Sequence, residues 1–362
     1  MYPRLVINLD KLNYNLETLS KSVHKAGCSL MIVTKSFCAD KNIVNMLEQS
    51  PYVDFLADSR IKNSAPPRLR VKPQVLLRLP QMCEIEDVIR YTDISLNSEL
   101  ATLQALSDEA IRQQKTHKVI LMIDLGDLRE GIFYDGNNSY QGSDKILSTV
   151  EAIQKMPGIE FYGIGTNLTC YGGVIPSIDN LLELCDVADM LKARCGVDCK
   201  IISGGNSSSY YLIEEGALPP KINNLRLGES FVLGNDTANA HPIDGLHHDA
   251  ITLEAQIIEL QTKPSLPIGE RTFDAFGGLD AIEDKGPMRR AILAIGKQDV
   301  DPDFIKASDP NIEVLHASSD HLILDVTQSK EHYKVGDIIS FTLGYSALLR
   351  LFTSQYVDRA YI

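Results

Sequence analysis

This chain has no excess of basic residues: 35 lysines and arginines stand against 48 aspartates and glutamates, a formal net charge of −13. Such a balance offers no basic field to attract phosphates, so nucleic acid and anionic membrane are excluded as expected partners. No apolar run approaches the ~18–20 residues of a membrane-spanning helix. Met1-Tyr2-Pro3-Arg4 leads straight into an amphipathic pattern, without the apolar stretch of a signal peptide. A soluble, cytoplasmic protein is expected. The cysteines at 28, 38, 83, 170, 185, 195 and 199 form no CxxC pair, and their number is odd, which gives neither a disulfide framework nor a zinc ribbon. They read as core thiols. The histidines contain no HExxH and no metal-like spacing beyond His247-His248, so no metal site is expected. Internal repeats and low-complexity segments are also missing.

What is present is an ordinary globular composition, 44% hydrophobic and 23% charged, over 362 residues. That length suits two domains, or one large α/β barrel with an appendage. Leu12, Leu16, Leu19 and Val23 fall at helical spacing behind Asp10, a plausible N-cap. Strand-like runs follow at 29–34, 53–57, 74–79, 93–97, 118–125, 159–167, 199–203 and 224–228. Helical patterns separate most of them, at 40–50, 82–90, 98–114, 143–155, 177–194 and 206–216. Several of the runs are apolar throughout, as strands buried on both faces should be. Eight such strands predict a (β/α)8 TIM-type barrel. A doubly wound sheet needs a glycine loop after its first strand, and Lys35 stands there instead.

The pattern changes beyond residue 235. A polar, turn-rich stretch at 235–249 precedes runs at 251–260, 291–295, 312–316, 321–326, 337–343 and 356–362, with no helical pattern between them. These predict a C-terminal all-β domain, with residues 4–8 as a strand that can pair with it. The expected division is a barrel over 10–235 and a β domain over 236–362, joined by the N-terminal strand within 1–9.

Barrel enzymes place their chemistry at the C-terminal ends of the strands. Lys35 ends the first strand there, where desolvation lowers an amine's pKa and favours the neutral form that builds a Schiff base with a carbonyl. A lysine snorkelling to solvent is the plainer alternative. Ser203-Gly204-Gly205-Asn206-Ser207-Ser208-Ser209, between the seventh strand and a helix, combines close backbone approach with hydroxyls and N–H groups, the parts of a phosphate cup. A capped turn remains the alternative there. Arg226, within the last strand, needs an acceptor if it points inward. Arg129, in Asp124-Leu125-Gly126-Asp127-Leu128-Arg129-Glu130-Gly131, can clamp a carboxylate or form a surface ion pair. Lysine, cup and arginines together suggest pyridoxal 5′-phosphate, a phosphorylated aldehyde.

The stretches VTKSFCAD, DFLADSRI, MIDLGDLREGIF, GIGTNLTCYGG, ISGGNSSS, NLRLGE, AIGKQDVDPD and ASSDHLILDV carry a family likeness over essentially the whole chain. The chain resembles the alanine racemase class of pyridoxal-phosphate enzymes, and within it the alanine/ornithine racemase branch. The resemblance implies that Lys35 holds the cofactor covalently. It implies that Asn206, Ser207 and Ser208 bind its phosphate, with the backbone of Gly228 and Glu229 completing the cup. Arg226 matches the arginine that faces the pyridine nitrogen, and Arg129 the one near the substrate carboxylate. Asn167 stands where alanine racemases often carry a histidine. Ser319 and Asp320 match a β-domain stretch that a partner subunit contributes, so a homodimer with shared active sites is implied.

The second catalytic base departs from the family pattern. Alanine racemases carry a tyrosine where this chain has Lys297, in Ile295-Gly296-Lys297-Gln298-Asp299-Val300-Asp301. Lys297 is therefore the first candidate, ahead of Asp299, His321 and Tyr345. The expected reaction is racemisation of a free amino acid by proton exchange between two bases. Carboxylates of Asp299 and Asp301 can attract a cationic side chain, which favours ornithine over alanine. A solvated acidic turn is the alternative for that loop. Racemases of lysine, alanine or serine, and a decarboxylase on the same scaffold, stand as rival functions. An aldolase lacks the metal constellation it needs, and a non-catalytic cofactor-handling barrel lacks a β domain.

Overall fold

The computed structural model describes residues 1–66, 69–273, 276–278 and 282–362. β1 (Arg4–Ile7) precedes a helix, Leu9–Lys25, whose Leu12, Leu16, Leu19 and Val23 are all buried. Then come β2 (Ser29–Val33), β3 (Phe55–Asp58), β4 (Gln74–Leu76), β5 (Ile94–Asn97) and β6 (His117–Asp124). The short β7 (Ile132–Phe133) lies beside β6, followed by β8 (Ile159–Gly165), β9 (Ile201–Ser203) and β10 (Asn224–Leu227). The strands pair in the order β5-β4-β3-β2-β10-β9-β8-β6, all parallel, and a β5–β6 pairing closes the ring. This is the closed eight-stranded barrel that the alternating runs predict.

Its interior is filled by Met31, Val33, Ala57, Val75, Ile94, Leu96, Ile120, Met122 and Ile201. A second layer packs the outer strand faces on helices, through residues such as Leu76, Val88, Leu103, Leu106, Val119 and Ile153. Each such aliphatic side chain contributes roughly 1.5–3 kcal/mol on burial. Several strands end earlier than their apolar runs. β8 stops at Gly165; Thr166 still donates its N–H to Ser203 O of β9 (3.1 Å), and Asn167 enters the loop at the strand's C-terminal end. The helical pattern at 206–216 divides into a 3₁₀ turn, Ser207–Ser209, and a short helix, Tyr211–Glu214. Asn206 causes the tightening, because its side chain accepts the Ser208 N–H (2.8 Å).

The 235–249 stretch holds a small hairpin of β11 (Asn235–Asp236) and β12 (His241–Pro242). Beyond it lie β13 (Ile251–Pro264), β14 (Pro287–Leu293), β15 (Ile305–Ala307), β16 (Glu313–Ala317), β17 (Leu322–Asp325), β18 (Ile338–Leu343) and β19 (Asp358–Tyr361). They form a sheet ordered β15-β18-β13-β14-β17-β16, antiparallel throughout, and β1 joins it between β13 and β19. One helix, Tyr345–Thr353, interrupts what reads in sequence as strands alone. The helix has only nine residues, with Ala347, Leu348, Leu351 and Phe352 buried, too few for the helical period to stand out from an apolar run. The chain divides into two units, Leu12–Leu246, and Met1–Lys11 with His247–Ile362. Among the described residues no helix is long and apolar enough to cross a membrane.

Candidate active site

Lys35 opens a 3₁₀ turn, Lys35–Phe37, immediately beyond β2 and Thr34. Thr34 is pinned to the neighbouring strand, its N–H donating to Ala57 O (2.8 Å) and its hydroxyl to Asp58 Oδ2 (2.5 Å). Cys38 then donates its N–H back to Lys35 O (3.2 Å). Cys38 and Ala39 take left-handed φ values of 48° and 47°, which turns the chain into the helix Lys41–Gln49 capped by Asp40. Two consecutive left-handed non-glycine residues cost roughly 1–2 kcal/mol each, so the surrounding contacts must enforce this turn. The lysine is thus held from both sides at the barrel mouth. Burial first, and the positive charge of Arg129 second, lower its amine pKa, against the opposing pull of Cys170, Asp58 and Glu130.

Arg226 lies in β10 at the level of Met31 of β2 and is 2% exposed. Its guanidinium donates to Ser203 Oγ, Thr166 O (2.5 Å) and Asn167 Oδ1 (2.6 Å). Desolvation pulls it down to about 10, so it remains a cation at neutral pH. Asn167 in turn donates to Glu130 Oε1, and Glu130 accepts from its neighbour Arg129 through both oxygens. Arg129 follows β6 on a loop that Asp124 shapes, accepting the N–H groups of Gly126 (2.9 Å) and Leu128 (3.1 Å). Gly131 ends that loop at φ +130°, where a Cβ would sit 2.6 Å from Asp124 N. Only glycine fits there.

The turn after β9 is tied to the loop after β10. Ser207 Oγ accepts the N–H groups of Gly228 (3.2 Å) and Ser230 (3.3 Å), and Asn206 Nδ2 donates to Leu168 O (2.9 Å). Gly205 takes φ +115°, and a Cβ there would meet Ser209 Oγ at 2.6 Å. Glu229 opens the short helix Glu229–Leu233, and desolvation raises its carboxyl to about 7 despite a hydrogen bond with Asn235. Ser208 Oγ is buried without a hydrogen-bond partner.

That last feature recurs around the rim. Among the described residues, the buried side-chain atoms without partners are Ser36 Oγ, Arg78 Nε, Asn97 Oδ1, Thr166 Oγ1, Ser208 Oγ and Arg290 Nε. All but Arg290 stand at or just past the C-terminal ends of β2, β4, β5, β8 and β9. An unpaired buried polar atom costs about 1–3 kcal/mol. Their concentration on one rim makes the barrel mouth the candidate site for a polar ligand.

The chain is similar to known proteins along its whole length. The alanine racemase N-terminal domain model matches residues 7–236. A relative named ornithine racemase, from Acetoanaerobium sticklandii, is 49% identical over 359 residues, 99% of each chain. The chain belongs to the alanine racemase family. A second relative in that group is a lysine racemase from Thermotoga maritima, 37% identical over 100% of this chain and 99% of its own. The alanine racemase of Bartonella henselae, solved with covalently bound pyridoxal phosphate, shares the fold at a TM-score of 0.71 and 16% identity, covering 99% of both chains.

Of the residues singled out in the sequence, Lys35, Arg129, Asn167, Asn206, Ser207, Ser208, Arg226, Gly228 and Glu229 all stand on the C-terminal loops or ends of barrel strands. A second group comes together in the β unit. The N–H groups of Lys297 and Gln298 donate to Ser318 O (2.8 Å) and Ser319 O (2.9 Å), which zips the Lys297 loop onto the Ser319–Asp320 turn. Gly296 is what permits this approach, since its Cβ would lie 2.4 Å from Asp320 N. Lys297 Nζ rests over the Phe276 ring, 4.2 Å from its centroid. Asp299 and Asp301 are already engaged, accepting from Ser354 Oγ and Ser346 Oγ at 2.6 Å each, which fastens them to the helix Tyr345–Thr353 and its end. Asp303 of the same loop lines a cavity of about 230 Å³ with Lys297, His316 and Phe276.

Two residues escaped the sequence reading. Asp127 is fully buried, and although burial alone would raise its carboxyl, the N–H groups of Tyr171, Val174, Cys170 and Gly172 hold it below its usual range. It thereby fixes the loop after β8. Glu130 joins Arg129 to Asn167. Both lie in the acidic-basic stretch DLGDLRE, whose density of charge beside an apolar strand was the available signal.

Proposed function

We propose that this chain interconverts the L- and D-enantiomers of a free basic amino acid, ornithine first, with pyridoxal 5′-phosphate held by Lys35. The observation that carries this reading is the Lys35 amine, lowered in pKa by burial, at a mouth rimmed by buried polar atoms without partners. The residues present fit that cofactor. Lys35 offers an amine to an aldehyde. The Asn206–Ser208 turn, with the unpartnered Ser208 hydroxyl, and the Gly228–Glu229 loop offer donors to a phosphate. When bound, the cofactor supplies an electron sink that acidifies the α-proton of an attached amino acid.

The chain's own groups set the rest. Arg226 keeps its proton at neutral pH, so it would offer a hydrogen bond to the cofactor's ring nitrogen without protonating it. Such an arrangement weakens the sink and favours closely coupled removal and return of one proton. Arg129 binds the substrate carboxylate. Lys35 moves the proton on one face. Lys297 is assigned to the other, in a homodimer whose sites each take Lys297, Ser319 and Asp320 from the partner subunit. The exposure of Ser319 and Asp320 supports that role.

The names of the two relatives, an ornithine racemase and a lysine racemase, support a diamino acid substrate. The distal ammonium needs a carboxylate, because a buried unpaired charge costs several kcal/mol. Asp299 and Asp301 were the sequence candidates. Their bonds to Ser354 and Ser346 favour Asp303, which faces the cavity, as the partner within the same loop. Initial rates on L-ornithine, L-lysine, L-alanine and L-serine test the assignment. Ornithine is expected to have the highest kcat/KM, with Asp303→Asn lowering it roughly tenfold or more while sparing alanine. Equal loss on all four substrates would remove Asp303 from specificity.

A further inference from the structure

Glu130 stands between the two arginines of the barrel mouth. Its Oε2 accepts from Arg129 Nε, and its Oε1 accepts from both Arg129 Nη2 (2.5 Å) and Asn167 Nδ2. Asn167 Oδ1 accepts from Arg226 Nη2 (2.6 Å), so one unbroken line of hydrogen bonds runs Arg129–Glu130–Asn167–Arg226. The side chain of Glu130 is 15% exposed, whereas that of Arg129 is 40% exposed. The buried end of the pair therefore belongs to the carboxylate, and the open end to the guanidinium.

We propose that Glu130 is a positioning residue that locks Arg129 and Arg226 into one unit, so that the groups binding the substrate carboxylate and the cofactor ring keep a fixed relation. This rests on the reading given under Proposed function. The geometry supports it in two ways. Bidentate engagement of the Nε and Nη2 edge fixes the guanidinium plane and leaves Nη1 outside the pair. The carboxylate also sits between the two arginines, bonded to Arg129 directly and to Arg226 through Asn167, so its negative charge opposes the desolvation of Arg226. An ordinary single-contact ion pair between neighbouring residues would be worth about 0–1 kcal/mol and would not fix the guanidinium plane.

The test compares the full-length, cofactor-loaded chain with its Glu130→Gln and Glu130→Ala variants. Glutamine keeps the shape but offers one oxygen to three donors, so it cannot hold Arg129 and Asn167 together. Acetate, a carboxylate without an amine, is titrated against the absorbance of the bound cofactor, alongside KM, kcat and the melting temperature. Both variants are expected to bind acetate roughly tenfold or more weakly and to raise KM by a similar factor. The Asn167→Ala change is expected to add little further loss in the Glu130→Gln background, because the line is already broken. Acetate affinity and KM within about twofold of the unsubstituted protein, or losses that simply add, would overturn the proposal. Should Glu130→Ala fail to fold, the isosteric Glu130→Gln carries the test alone. An unsubstituted protein that takes up no cofactor would instead refute the function proposed above.

Discussion

Lys35→Ala is expected to abolish racemisation and, with it, the borohydride-stable link between protein and cofactor. The turn that presents this lysine is fixed independently of its side chain, by Thr34 on Asp58 and by the left-handed pair Cys38 and Ala39. The substitution should therefore leave the barrel folded. Phosphate binding at the Asn206–Ser208 turn is expected to survive, so the variant should still take up cofactor reversibly, at lower affinity. Mass spectrometry after borohydride treatment reads the link, and chiral chromatography reads the activity. An undiminished covalent adduct in Lys35→Ala would place the attachment on another amine.

Lys297→Ala is expected to separate proton removal from inversion. With one base lost, racemisation should fall by about 10²–10⁴, the usual contribution of a general acid or base. The enantiomer whose α-proton faces Lys35 should still exchange that proton for deuterium in heavy water. The opposite enantiomer should not. Equal exchange from both enantiomers would assign the second base elsewhere, with His321 and Tyr345 next to examine. The same variant tests the shared site. A mixture of Lys35→Ala and Lys297→Ala chains, each inactive alone, should recover about a quarter of the native activity, since half the dimers are hybrids with one intact site of two. No recovery after subunit exchange would mean that each copy furnishes both bases itself.

Much of the barrel is legible in the amino-acid sequence because each strand is a short apolar run and each helix a longer periodic one. The run 118–125 becomes β6 at His117–Asp124 within a residue at either end, since burial on both faces leaves no other reading. The helix Tyr345–Thr353 is not legible for the converse reason, being short and rich in residues that suit a strand as well. The site divides along a similar line. Lys35, Arg226 and the Asn206–Ser208 turn announce themselves through positions at strand ends, where a lysine, an inward arginine and paired glycines need an explanation. Glu130 and Asp127 do not, because their roles depend on which donors the folded loops bring to them. The same limit applies to Asp299 and Asp301, whose serine partners lie 55 and 45 residues away in sequence.

The proposed reaction inverts the α-carbon of ornithine at the mouth of this barrel and does nothing else to it. The most direct measurement follows purified, cofactor-loaded protein by chiral chromatography from two starting points, pure L-ornithine and pure D-ornithine. Enantiomers have equal free energy in solution, so both reactions should converge on the same equal mixture with total ornithine conserved. Failure to form the opposite enantiomer from either side, or loss of ornithine to its decarboxylated diamine, would contradict the account.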